Sequence, residues 1–206
     1  MTFEGIDGSG KTTQAELLAE SLRAAGAQVV ATREPGGTVV GERIRELLLG
    51  EGPRISSWAE TALFAAARAQ LVDEVIRPAL DRDVDVVSDR YVDSSLAYQG
   101  SGRGLGETDV LSLNVWGTQG LFPDLVILLH IEPELGLARS GDERDRMEQE
   151  GGSFLATVAD AYLRIAEEHP ERFVVIDAAR DPAEVFDDVR AAIDKALRER
   201  HEHGGS

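Results

Sequence analysis

The stretch Gly5-Ile6-Asp7-Gly8-Ser9-Gly10-Lys11-Thr12 satisfies the pattern G-x-x-x-x-G-K-[ST] without a mismatch. Each fixed letter has a chemical reason. Glycines let the backbone curl until successive N–H groups converge on phosphate oxygens, a geometry that Cβ atoms would obstruct. A helix opening at Lys11 adds the positive end of its dipole. Lys11 supplies a mobile charge between the β- and γ-phosphates, and the Thr12 hydroxyl is a magnesium ligand. The competing reading is a flexible glycine turn before a surface helix. Lys11 and Lys195 are the only lysines among 21 basic residues. A nucleoside-triphosphate site is therefore expected here. No N-K-x-D tetrapeptide occurs, which removes the common guanine-reading switch proteins.

Other residues could receive or stabilise a transferred phosphoryl group. Asp89 and Arg90 follow an apolar run. An acidic residue at the carboxyl edge of a parallel strand faces the ligand crevice of such sheets and can hold Mg²⁺ or its waters. The neighbouring arginine can clamp a second phosphate. A helix N-cap followed by a surface arginine reads equally well from the dipeptide alone. Phe64 and Arg68 lie four apart on one helical face, a ring beside a forked donor that suits a flat heterocycle with carbonyl oxygens. Their alternative is a core phenylalanine with a snorkelling arginine. Arg139, Arg144 and Arg146 stand in acidic, glycine-bearing sequence. They fit either a lid that closes cations over phosphates or a solvated, salt-bridged loop.

The elements that must position these groups alternate. Apolar runs at 2–4, 28–32, 84–88, 125–131 and 173–176 predict strands. Helical periodicity appears after Lys11 and at 39–49, 58–80, 109–118, 154–169 and 183–198. Strands alternating with helices predict right-handed crossovers and a largely parallel sheet. Residues 139–152 read as charged and irregular, and the glycine-rich 100–106 as a mobile connection. Trp58 and Trp116 read as core or interface residues.

With 206 residues, 42% hydrophobic and 29% charged, the chain is sized for one α/β domain with a substantial core. Acidic residues outnumber basic ones 38 to 21. That balance argues against sequence-independent binding to nucleic acid or anionic membrane, which need a basic footprint. The absence of cysteine excludes disulfides, thiolate metal sites and cysteine nucleophiles. The run Leu125 to Leu129 ends at His130, far short of a bilayer crossing. Met1-Thr2-Phe3-Glu4 has neither the basic start nor the apolar run of an export signal. A soluble, cytoplasmic protein is expected.

Beyond these readings, the chain resembles the bacterial thymidylate kinases over nearly its whole length. The resemblance is carried by the 3–14 loop string and Arg33-Glu34-Pro35-Gly36-Gly37-Thr38. It continues in Leu63-Phe64-Ala65-Ala66-Ala67-Arg68-Ala69-Gln70, Asp89-Arg90-Tyr91, Ser94-Ser95-Leu96-Ala97-Tyr98-Gln99-Gly100 and Asp145-Arg146-Met147-Glu148. It implies a P-loop NTPase fold, a three-layer α/β/α arrangement around a central parallel sheet with a short arginine-bearing lid. Residues 1–199 would form a single kinase domain, with the lid at about 139–152 and 200–206 a disordered tail. The implied reaction moves the γ-phosphoryl of ATP to dTMP, with Mg²⁺.

The same resemblance assigns roles. ATP would lie on Gly5, Ile6, Asp7, Gly8, Ser9, Gly10, Lys11, Thr12 and Thr13, with Arg139 near the adenine. Phe64 would stack on thymine and Arg68 bond its carbonyl. Arg90 would hold the acceptor monophosphate, aided by Arg33 and Ser94. Tyr98 would sit under the deoxyribose, Asp7 would meet the 3′-hydroxyl, and Gln99 would line the base pocket. Thr12 and Asp89 would organise magnesium. Some relatives carry a catalytic arginine where Gly8 stands, so Arg144 and Arg146 would supply that cation here, alongside Lys11 and Arg90. A homodimer through 58–80 and 109–118 is implied as well. Rivals remain another nucleoside-monophosphate or deoxynucleoside kinase and a non-catalytic nucleotide-gated binding protein.

Overall fold

The computed structural model describes residues 1–50, 52–140 and 151–203. Five parallel strands form one sheet: β1 (Thr2–Glu4), β2 (Val29–Arg33), β3 (Asp85–Asp89), β4 (Val126–His130) and β5 (Phe173–Asp177). Their spatial order is β2-β3-β1-β4-β5. All three residues of β1 and the first four of β4 are buried, as strands covered on both faces must be, whereas the edges β2 and β5 are partly exposed. Each strand anticipated from the apolar runs is present, shifted by a residue or so.

Helices α1 (Lys11–Ala24), α2 (Val39–Leu49), α3 (Ser57–Leu71), α4 (Arg77–Leu80), α5 (Val92–Ser95), α6 (Glu107–Thr118), α7 (Pro133–Ser140), α8 (Gly152–Glu168) and α9 (Pro182–His203) connect the strands. A π-helical turn at Val72–Ile76 joins α3 to α4. The connection from β1 to β2 steps one way along the sheet, and those from β3 to β4 and β4 to β5 step the other way. Right-handed crossovers therefore send α1 to one face and the later connecting helices to the opposite face. Helix α9 packs on α1 and β5, while α8 packs on β4 and β5. The sheet is thus the middle of three layers.

Three local readings of the sequence change. The glycine-rich stretch after Tyr98 is not a loose connection, because Leu96–Gly102 forms a second π-helical turn whose first five residues are buried. A side chain at Gly102 would collide with Phe154, so the glycine admits α8 to close contact. Arg139 and Ser140 belong to α7 and Gly152 opens α8, so neither end of the span read as irregular is irregular. Helix α9 continues to His203, past the expected end at 198 and into the expected tail. Lys195 to Arg200 are strong helix formers, and neither glycine nor proline intervenes before Gly204.

The order β3-β1-β4 decides where the site lies. Phe3 pairs with Asp89 and Glu4 with Leu128, so the loop after β1 emerges directly between the ends of β3 and β4. Gly8 has φ 78°, and a Cβ there would strike the Gly136 carbonyl of α7. Gly136 in turn leaves no room, since its own Cβ would come within 2.6 Å of the Asp7 carbonyl oxygen. Loop and helix touch backbone to backbone. Gly136→Ala is therefore expected to lower thermal stability by about 1–3 kcal/mol and to weaken nucleotide binding at the loop. Calorimetry with and without ATP reads both effects.

Candidate functional site

A cleft of about 590 Å³ opens at the carboxyl ends of β1 and β3. At one end lie Gly8, Gly10, Lys11, Thr12 and Thr13; Phe64, Ser94, Tyr98 and Gln99 line it as well. Asp7, Asp89, Arg33, Arg90 and Arg139 complete the anticipated lining. Of the expected loop residues, Gly5, Ile6 and Ser9 stand behind it rather than in its wall. Ile6 and Ser9 are each 2% exposed, and Gly5 has Leu129 carbonyl backbone where a Cβ would go.

The Lys11 ammonium donates to the Ile6 carbonyl at 2.8 Å and lies 3.8 Å from Asp7 Oδ1. Burial lowers its pKa to about 8, with the Arg90 charge adding to that and Asp7 opposing it. Thr12 Oγ1 donates to Asp89 Oδ2 at 2.5 Å, while Asp89 Oδ1 is buried without a partner. An orphaned carboxylate oxygen beside a hydroxyl fits a hard divalent cation that takes its remaining ligands from phosphate and water. Among the described residues no cluster of three or more His, Cys, Asp or Glu side chains could hold a metal, so the pair fits a substrate-borne ion rather than a protein cage.

Arg90 occupies the centre. It takes φ 73°, an uncommon backbone for a residue with a side chain, costing about 1–3 kcal/mol. Its N–H donates to the Phe3 carbonyl at 2.9 Å and its carbonyl accepts from Ser88 Oγ at 2.8 Å, which holds that conformation. The guanidinium then turns under the β1 loop. Nη1 donates to Gly5 O, Ser94 Oγ and Tyr162 OH, and Nη2 to Asp7 and Tyr98 OH. It also lies 5.1 Å from the Tyr98 ring centre. Burial pushes the Asp7 carboxyl up, but Arg90, Lys11 and the Tyr98 hydroxyl outweigh it and hold the group below the ordinary range. Asp7 thus stays ionised between two cations.

Arg33 is at the rim, its guanidinium paired with Glu42 at 3.3 Å and 54% exposed. Arg139 donates to the Ala178 and Ala179 carbonyls at 2.8 and 3.0 Å, tying α7 to the loop after β5. Arg144 and Arg146 lie outside the described residues.

Arg68 departs from expectation. It is 1% exposed and does not line the cleft. Its fork donates to Glu34 Oε2 at 2.6 Å, Ser95 Oγ at 3.0 Å, Asn114 Oδ1 and the Tyr91 carbonyl at 2.9 Å. The reason is the buried Glu34, whose carboxyl is pushed up by burial and pulled back by this arginine. Arg68 welds the 33–38 turn, α5 and α6 together behind the wall.

The sequence reading missed Glu4, Glu34, Tyr162 and Glu60. Glu60 is buried and accepts from Gln99 Nε2 at 3.1 Å and from Arg103. Because a carboxylate only accepts, it fixes which end of the Gln99 amide faces it. Glu34 directly follows Arg33, yet Arg33 pairs with Glu42 at the surface and Glu34 with Arg68, 34 positions on, a choice that adjacency in sequence does not signal.

A family model described as Thymidylate kinase matches residues 3–189. A thymidylate kinase of Bifidobacterium longum subsp. infantis is 48% identical over 203 residues, covering 97% of this chain and 87% of that protein. One of Thermosipho melanesiensis is 46% identical, covering 96% and 98%. Among solved structures, the thymidylate kinase of Ehrlichia chaffeensis is 34% identical with TM-score 0.77, over 93% of this chain and 96% of that one.

Arg68→Ala should leave Glu34 buried without its cation. A loss of about 3–5 kcal/mol is expected in denaturant unfolding. An unchanged midpoint with a raised acceptor KM would instead make Arg68 a base-reading residue.

Proposed function

This chain belongs to the thymidylate kinase family, and from that premise we propose how its own residues carry out the transfer. The enzyme is a phosphotransferase that moves the γ-phosphoryl of ATP to dTMP, giving dTDP and ADP, a step toward dTTP. The observation that supports the residue assignment is the convergence of Lys11, Asp7 and Arg90 where the β1 loop meets the end of β3.

Gly8 to Thr13 hold the donor phosphates through backbone N–H groups and the α1 terminus. Lys11 leaves the Ile6 carbonyl to neutralise charge on the β- and γ-phosphates. Arg139 and the Ala178–Ala179 carbonyls border the adenine. Arg90 and Ser94 hold the acceptor phosphate, with Arg33 at the rim. Phe64 stacks on the pyrimidine, Gln99 edges it, and Tyr98 and Asp7 meet the sugar. Thr12 and Asp89 would hold a Mg²⁺ ion, which would supply positive charge to neutralise that developing on the transferred phosphoryl group. Arg144 and Arg146 supply the lid cations. No side chain need remove a proton, because a phosphate monoester oxygen is already ionised near neutrality, so positioning and charge neutralisation carry the reaction.

We extend the proposal to a cytoplasmic homodimer. Among the described residues no helix is long and apolar enough to cross a membrane. Trp116 is 86% exposed and Trp58 48%, on α6 and α3, which pack together. Aromatic side chains so placed suit a face shared between copies. Trp116→Glu is expected to shift the mass seen by light scattering from dimer to monomer; an unchanged mass would remove this face from the interface.

The decisive measurement is ADP release with ATP, Mg²⁺ and each of dTMP, dUMP, dCMP, dGMP and AMP. Turnover should be fast chiefly with dTMP. Lys11→Ala should cut it by at least about a hundredfold, as loss of a preorganised charge at a transition state does, with circular dichroism unchanged. Equal rates with every acceptor would defeat the assignment.

A further inference from the structure

Glu4, the last residue of β1, is fully buried in the middle of the sheet. Its Oε1 accepts the Tyr91 N–H at 2.7 Å. Its Oε2 accepts two hydroxyls, Ser94 Oγ at 2.6 Å and Tyr162 OH at 2.9 Å. Those same two oxygens are the ones to which Arg90 Nη1 donates, at 3.1 and 3.4 Å. Two relays therefore run in parallel from one guanidinium nitrogen, through a hydroxyl each, to one carboxylate oxygen.

The polarity of the relays is decided at their far end. Each hydroxyl has one proton, and an arginine N–H can only donate. The two hydroxyl oxygens also lie 2.8 Å apart, so for both to accept from Arg90 their protons must go to Glu4 or to each other, and only an ionised Glu4 can take both. We propose that Glu4 is a positioning residue for the phosphoryl acceptor, orienting the Ser94 and Tyr162 hydroxyls so that they hold Arg90 in place. This rests on the reading that Arg90 binds the acceptor phosphate. A Glu4 proton on Oε2 would have to be donated to one of the hydroxyls, turning that hydroxyl's own proton toward its neighbour or toward the cation.

Charge surrounds the carboxyl from each side. Asp93 on α5 repels its ionised form, Arg90 attracts it, Tyr162 on α8 donates to it, and Lys11 on α1 and Arg172 before β5 also feel its charge. Burial is the largest influence and Asp93 the next, raising Glu4 to about 7. Glu4 is ionised above that value and protonated below it, so acceptor binding weakens as pH falls through it.

The test measures KM for dTMP and for ATP separately, at pH 8 and pH 6, in the wild type, Glu4→Gln, Tyr162→Phe and Arg90→Ala. Glutamine must present a donor to one side of the network, so Glu4→Gln should raise the dTMP KM by roughly tenfold or more at pH 8, with the ATP KM within about twofold. Tyr162→Phe keeps the ring and removes one relay. It should raise the dTMP KM several-fold, and it carries the test should Glu4→Gln fail to fold. The dTMP phosphate titrates identically in every variant, so the wild-type rise in KM between pH 8 and pH 6 should exceed that of Glu4→Gln. If Arg90→Ala raises the dTMP KM while Glu4→Gln and Tyr162→Phe do not, the relay is wrong and the acceptor assignment stands. Equal increases in both KM values would mark Glu4 as merely structural and overturn the proposal. An unchanged dTMP KM in Arg90→Ala would overturn both readings.

Discussion

A guanidinium held beneath the loop that follows β1 is the interaction on which the rest of the site depends. Arg90 is at the end of β3 and Asp7 is three residues beyond β1. The two meet because the strands are parallel neighbours, with Phe3 beside Asp89. Removing such a cation from water is costly unless every donor is met. Here five acceptors from the β1 loop, α5, the π-helical turn and α8 surround it. Elements distant along the chain are thereby held to one point, and Lys11, 3.8 Å from the same Asp7, is held with them.

Close approach is the second constraint. The phosphate loop can lie against α7 because Gly8 and Gly136 present backbone to backbone. An arginine at position 8 would need the space that α7 occupies. That exclusion gives a steric reason for glycine at position 8.

The acidic composition is also resolved in space. Lys11, Arg33, Arg90 and Arg139 gather on one cleft within a chain of net charge −17. Each is matched by an oxygen in this structure: the Ile6 carbonyl, Glu42, Asp7 and the Ala178 carbonyl. Charge-assisted contacts of this kind keep cations ordered until an anionic ligand competes for them.

Much of this was legible in one dimension. The phosphate loop is contiguous, so its glycines, Lys11 and Thr12 declare their chemistry by spacing alone. The strands declared themselves by apolar runs, because strands buried on both faces tolerate little else. The 96–102 turn did not, since its glycines signal looseness in sequence and tight packing against Phe154 in space. Arg68 next to Phe64 pointed to the cleft by helical spacing, yet Glu34, 34 positions away, draws it inward. Glu4 and Tyr162 stand 158 positions apart and meet through a shared hydrogen bond. Local order thus determined the chemistry of the donor loop and the class of fold. Which buried polar groups became partners was decided only by folding, because a desolvated charge takes whichever partner the packed elements bring within reach, at any distance along the chain.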